Sequence, residues 1–90
     1  METRVIYIGD TEMIDYPFIV DDKNWLIPNG WYLLQDELQN RPQVVYNNEK
    51  QPVIIIEHIQ INYEFEGKNN RMSVIKTDRK LEVEDSINYK

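Results

Sequence analysis

Apolar residues along this chain fall mostly at every second position. The clearest case is PVIIIEHIQINYEFE, from Pro52 to Glu66. Its odd positions read Val53, Ile55, Glu57, Ile59, Ile61, Tyr63 and Phe65, and from Glu57 onward the even positions are polar. Such period-2 alternation of β-branched and aromatic residues predicts a half-buried antiparallel strand. Glu57 interrupts the apolar row, which predicts a bend or bulge near Glu57–His58. Val53–Ile56 is apolar at consecutive positions, the pattern of a stretch covered on both faces.

The flanking segments read in the same way. Gly67-Lys68-Asn69-Asn70 is a turn signal, RMSVIK returns as a second strand, Thr77–Lys80 turns again, and KLEVE supplies a third strand. Residues 52–84 thus read as a C-terminal β-meander, and 85–90 as a frayed tail. At the front, RVIYIG is a short strand closed by Gly9. Tyr16–Val20 has strand composition, but Pro17 confines it to an edge or an irregular segment.

The stretch NWLIPNGWYLLQDELQNRP, Asn24 to Pro42, fits two patterns. As a helix over 31–40, Trp31, Leu34 and Leu38 share a face, Asn29 caps the start and Pro42 ends it. As strands, Asn29-Gly30 turns NWLI back onto WYLL, and LQNRP then turns WYLLQDE onto QVVYN. Strands are favoured, because every other apolar run here is β-type and a lone ten-residue helix is marginal. The expected fold is therefore mainly β: one domain spanning 1–90, a small antiparallel sheet or barrel, with a short helix at 31–40 as the alternative.

The series RVIYIG…NGWYLLQDE…QVVYN…VIIIEHIQINYEF resembles small phage and prophage proteins with an SH3-like barrel. In those proteins a leading VxYIG-type strand precedes a WYxV-type strand and a hairpin. The resemblance spans roughly the first two-thirds of the chain. It implies the barrel fold and a phage or mobile-element origin, and brings no catalytic or ligand residue with it. The departure from the pattern is the long insertion from Asp10 to Asn29.

Charge adds what periodicity does not. The net charge is −6. Residues 1–40 carry eight acids (Glu2, Asp10, Glu12, Asp15, Asp21, Asp22, Asp36, Glu37) and two bases, whereas residues 41–90 carry eight of each. The excess therefore sits in the first 40 residues, where it repels phosphates and attracts basic surfaces. Direct nucleic-acid binding is not expected. The chain has no cysteine, no signal-peptide pattern and no apolar run long enough to span a membrane, so a cytoplasmic protein is expected.

Candidate chemistry is sparse. His58 is the only histidine and reads as a solvated strand residue; Ser73 and Ser86 lack a nucleophile-elbow pattern. One histidine without cysteine excludes the common zinc sets, and Asp10, Glu12 and Asp15 lack EF-hand order. The three glycines form no phosphate-binding spacing. No catalytic residue, cofactor or metal is expected.

What stands out is a set of acids among aromatics: Asp10, Glu12, Asp15, Tyr16, Asp21, Asp22, Trp25, Trp31, Tyr32, Asp36 and Glu37. Trp and Tyr are enriched at interface hot spots, and surrounding acids steer a basic partner; taken singly, Trp25 and Trp31 each read as core, because a small domain needs large side chains to bury enough area, while the set as a whole reads as an interface. The expected function is a non-enzymatic module docking on a basic surface of a host protein. Its sharpest form is a phage anti-defence inhibitor whose carboxylates stand where phosphates bind. Two alternatives stay open. One is a homo-oligomer formed through the edges of VVYN and VIII. The other is a small-ligand binder with a pocket lined by Trp25, Trp31 and Tyr32.

Overall fold

The computed structural model describes residues 2–20 and 24–88. Its strands are β1 (Glu2–Ile8), β2 (Phe18–Ile19), β3 (Trp25–Leu26), β4 (Trp31–Leu34), β5 (Val44–Tyr46), β6 (Pro52–Phe65), β7 (Lys68–Thr77) and β8 (Ser86–Asn88). Six of them close into an antiparallel barrel in the order β1-β4-β7-β6-β5-β8, while β2 and β3 form a separate two-stranded ribbon. The described residues contain no helix. The chain is mainly β, with an architecture compatible with an SH3-like barrel.

Closure depends on two strands that bend. β1 pairs with β8 through Glu2–Arg4 and with β4 through Val5–Ile8, and its register slips between Val5 and Tyr7. β6 pairs with β5 through Pro52–Ile54 and with β7 from Ile55 onward, slipping between Ile55 and Glu57. A bulge inserts a residue, bends the strand and raises its twist. Each long strand can therefore turn a corner and serve two sheets. The second slip lies at the interruption that Glu57 makes in the apolar row.

Two apolar clusters result, one on each side of β4. Tyr32 and Leu34 join Val5, Leu38, Val45, Val53, Ile75, Leu81 and Ile87 inside the barrel. Trp31 and Leu33 face the other way and pack with Val74 and Ile27, flanked by Ile6, Tyr7, Trp25, Ile59, Ile61 and Met72. Ile27 and Trp25 come from the segment between β1 and β4, so this segment covers the outer face of the sheet through these two residues. That is why all four residues of WYLL are apolar and buried. A strand exposed on one side would alternate.

Several expectations are corrected. No helix occupies 31–40; WYLL is a strand followed by turns. Asn29-Gly30 does turn the chain, with Trp31 N–H donating to Pro28 O and Gly30 at φ 88, but β3 pairs with β2 and not with β4. A single positive φ at the third position makes a type II turn, which does not close a tight hairpin. QVVYN pairs with β6 and β8 instead of WYLL. The turn predicted at 67–70 is tighter: Glu66 and Gly67, both at positive φ, form a two-residue hairpin loop between β6 and β7.

KLEVE is not a strand. Leu81 plugs the barrel from a loop, and the last strand is Ser86–Asn88, which seals the barrel against β1 and β5. Ile87 is fully buried, so 86–88 is not a frayed tail; residues 89 and 90 lie outside the described residues. VVYN and VIII are not free edges either, because Val44–Tyr46 and Pro52–Ile54 pair with each other.

Candidate functional site

The covering segment, residues 10–29, is fixed at its base by backbone contacts. Gly9 N–H donates to Trp31 O (2.7 Å), Thr11 N–H to Ile27 O (3.0 Å), and Asn29 N–H to Thr11 O (3.2 Å). Thr11 and Pro28 form an isolated parallel bridge. Gly9 permits this approach: a Cβ there would lie 1.9 Å from Pro28 O. The Tyr7 hydroxyl donates to Asp10 Oδ1. That bond, then burial, then the carboxylate's charge raise the Tyr7 phenol above its ordinary pKa. Trp25 meets Tyr7 edge-on, with ring centroids 5.4 Å apart.

Above this base several side chains of residues 12–20 are exposed, while Pro17 is buried. Met13 is 100% exposed and stands at φ 64, an unusual setting for a non-glycine residue. Tyr16 is 70% exposed, and Phe18 and Val20 are also exposed. Asp10, Glu12 and Asp15 lie exposed among them. Four apolar side chains within eight residues are thus exposed, in a stretch of sequence that also carries three exposed carboxylates. The ribbon of β2 and β3 holds the far end, with Val20 N–H donating to Asn24 O (2.9 Å). Asp21 and Asp22 lie outside the described residues.

The other predicted residues separate from this surface. Trp31 and Tyr32 are each only 6% exposed and sit on opposite faces of β4, so they neither form a docking surface nor line one pocket. Trp25 is half-buried against the outer cluster, with its indole Nε1 buried and unpartnered. Asp36 is exposed beyond β4, and its backbone N–H donates to the buried Thr3 hydroxyl. Glu37 is half-buried: its carboxylate accepts from Gln60 Nε2 (2.5 Å) and pairs with Arg71 at 3.8 Å. It is engaged within the fold. Met13, Phe18 and Val20 belong to the exposed surface but carry no charge or motif; their signal is an apolar run that fits neither a period of 2 nor one of 3.6.

His58 is not the solvated residue expected. Its Nε2 lies 2.6 Å from Ser73 Oγ, on the inner face of the β6–β7 hairpin. Burial, then Arg41, push its pKa below the ordinary histidine value, while Glu37 opposes the shift. The pair has the atoms of a Ser–His dyad but not the access. Ser73 is completely buried, and its Oγ already accepts from Leu38 N–H at 2.8 Å. No substrate carbonyl reaches that oxygen. The pair ties the 35–41 segment to the hairpin.

A groove of about 420 Å³ lies between β1 and the 82–85 turn, lined by Arg4, Val5, Ile6, Gln35, Val83 and Glu84. It brings together none of the predicted site residues. Among the described residues no three or more His, Asp or Glu side chains converge on a metal site. No protein family, curated protein or solved structure matches the chain. The functional reading therefore rests on geometry and charge.

Proposed function

We propose that this protein is a non-catalytic binding module that docks on a basic surface of another protein through the acidic–apolar tip of residues 10–20. The observation that carries the reading is Met13, fully exposed at a left-handed φ, with Tyr16, Phe18 and Val20 exposed beside Asp10, Glu12 and Asp15. Apolar side chains held out of the core gain nothing for folding. They gain burial only when a partner covers them. The carboxylates around them favour an Arg- and Lys-rich partner and speed its encounter.

The narrowest form of the reading is an inhibitor of phage or mobile-element origin that competes with nucleic acid for a host enzyme. It draws on the strand-pattern resemblance and on the charge excess of residues 1–40. The experiment that tests the general reading is the double reversal Glu12→Lys/Asp15→Lys. Both side chains are exposed, so the fold is retained. Association with a partner recovered on the wild-type protein slows, and its rate loses most of its salt dependence. An unchanged rate and salt slope removes the tip from the interface.

A further inference from the structure

The chain has nine asparagines, and eight of them precede a residue that carries a side chain. The exception is Asn29, which precedes Gly30. This pair forms the turn that leads from the base of the covering segment into β4, and both residues are exposed. Asn29 N–H donates to Thr11 O (3.2 Å) and Trp31 N–H to Pro28 O (3.1 Å). Those two bonds flank the central peptide of the turn. Its own groups, the Asn29 C=O and the Gly30 N–H, have no protein partner among the described residues. Nothing lies within 4 Å of a Cβ position on Gly30.

We propose that Asn29-Gly30 is a self-modification site, at which Asn29 cyclises onto the Gly30 nitrogen, releases ammonia and reopens with water as aspartate or isoaspartate. The electrophile is the side-chain amide carbon of Asn29, and the nucleophile is the next backbone nitrogen, so attack closes a five-membered ring. The Gly30 nitrogen gives up its proton to hydroxide, the N–Cγ bond forms, and the Cγ–Nδ2 bond breaks with ammonia leaving. Water then opens one of the two ring C–N bonds. Opening at Cγ gives an ordinary aspartate. Opening at the backbone carbonyl leaves the main chain running through Cγ, as isoaspartate. Water is the only co-reactant consumed.

Turn geometry decides whether the nitrogen reaches the side chain. The second residue of a type II turn has ψ near about +120°, which turns the following nitrogen away from that residue's Cβ. Ring closure therefore needs the Asn29–Gly30 peptide plane to rotate until the nitrogen and Cβ eclipse. The rotation breaks no hydrogen bond within the protein, because the central peptide makes none. Glycine takes up the compensating change in φ without a steric penalty, and the space around it is open. At the other eight asparagines the Cβ of the next residue screens the nitrogen.

The two products act differently on the fold. Either one replaces a neutral amide with a carboxylate, so one added charge takes the net charge from −6 to −7. Isoaspartate also adds a methylene to the main chain between Pro28, which is buried, and Trp31, which is 6% exposed. The Trp31–Pro28 hydrogen bond closes across that extra atom, and the Thr11–Pro28 bridge lies beside it. The isoaspartyl form therefore loosens the base of the covering segment. This holds whatever the tip binds.

Incubating the folded full-length chain at neutral and at mildly alkaline pH tests the proposal. Peptide mass mapping locates the gain of about one dalton that each event brings, and labelling by an isoaspartyl methyltransferase counts the isoaspartate. The gain appears at Asn29 ahead of the other eight asparagines, and sooner at the higher pH because the nitrogen must lose its proton. Asn29→Gln shows no gain at position 29 over the same period, since its longer side chain closes a ring far more slowly. The isoaspartyl fraction, separated by ion exchange, has a lower urea midpoint than Asn29→Asp, which carries the charge without the extra methylene. Another asparagine reacting first overturns the proposal. So does an Asn29 that stays intact in the folded chain, and its reaction in urea alone would show that the turn locks the peptide plane. Equal urea midpoints for the isoaspartyl fraction and Asn29→Asp overturn the loosening of the base.

Discussion

Replacing Gly9 with alanine tests how the covering segment is held. The added Cβ would lie 1.9 Å from Pro28 O, 2.8 Å from Pro28 C and 2.9 Å from Ile27 O. Ordinary contact begins near 3.5 Å, so Pro28 must retreat by about 1.5 Å. The obstructing atoms are backbone, and they lie between the Thr11–Ile27 and Trp31–Pro28 hydrogen bonds, so retreat strains both bonds. Gly9 is not at positive φ, so the whole effect is steric. Overpacking costs about 1–3 kcal/mol, and with rigid backbone on the far side the expected value is near 3 kcal/mol. Gly30→Ala is the matched control. It has φ 88 and nothing within 4 Å of its Cβ position, so only the left-handed penalty of about 1–2 kcal/mol applies. Urea unfolding of both variants measures the difference, and Trp25 fluorescence reports whether the segment has lifted. If Gly9→Ala lies within about 0.5 kcal/mol of wild type, the base is not packed as described.

Trp31 carries interface chemistry in its type but core burial in its place. Trp31→Ala should cost about 3–5 kcal/mol, most of the stability of a domain this small, and a folded variant with wild-type urea midpoint contradicts the outer cluster. His58 is held below its ordinary pKa, so the unfolded chain takes up its proton first. Its contribution to stability is present above the unfolded pKa of about 6.5 and is lost as pH falls through that value toward the folded pKa. The wild-type unfolding free energy should therefore drop between pH 7.5 and 5.5 more steeply than that of His58→Gln, which keeps a hydrogen-bonding group for Ser73. Coincident slopes refute this.

The parts of the fold legible in the sequence are those set by local pattern. The alternation from Glu57 onward marked the long hairpin strand, Glu57 marked its bulge, Gly67 marked the turn, and Pro17 marked a short strand. Partners of three-residue strands were not legible, because closure and not local sequence decides them. QVVYN could pair with WYLL by proximity, yet the barrel seats it beside β6 and β8. SIN has one apolar residue and no periodicity, and only its place between β1 and β5 makes it a strand. The site was half legible for a similar reason. Composition located the acids and aromatics, and a small domain's need for large buried side chains pointed Trp31 taken singly to the core; what was not legible is that Trp31 and Tyr32 lie on a strand covered on both sides, so the size of both serves burial. The exposed tip was hidden in residues with little chemistry of their own, such as Met13. His58 and Ser73 meet only through the register that the Glu66-Gly67 turn imposes.

The central claim is that the insertion works in two directions, packing Trp25 and Ile27 inward while presenting Met13 and Tyr16 to a partner. Site-specific photocrosslinking measures this most directly, with a benzophenone amino acid placed singly at Met13, at Tyr16 and, as a control, at the exposed Glu82 in the 82–85 turn. The account predicts a discrete crosslinked partner from positions 13 and 16, in a yield that falls as salt rises, and none from position 82. Equal yields from all three positions, or a yield from position 82 alone, would contradict it.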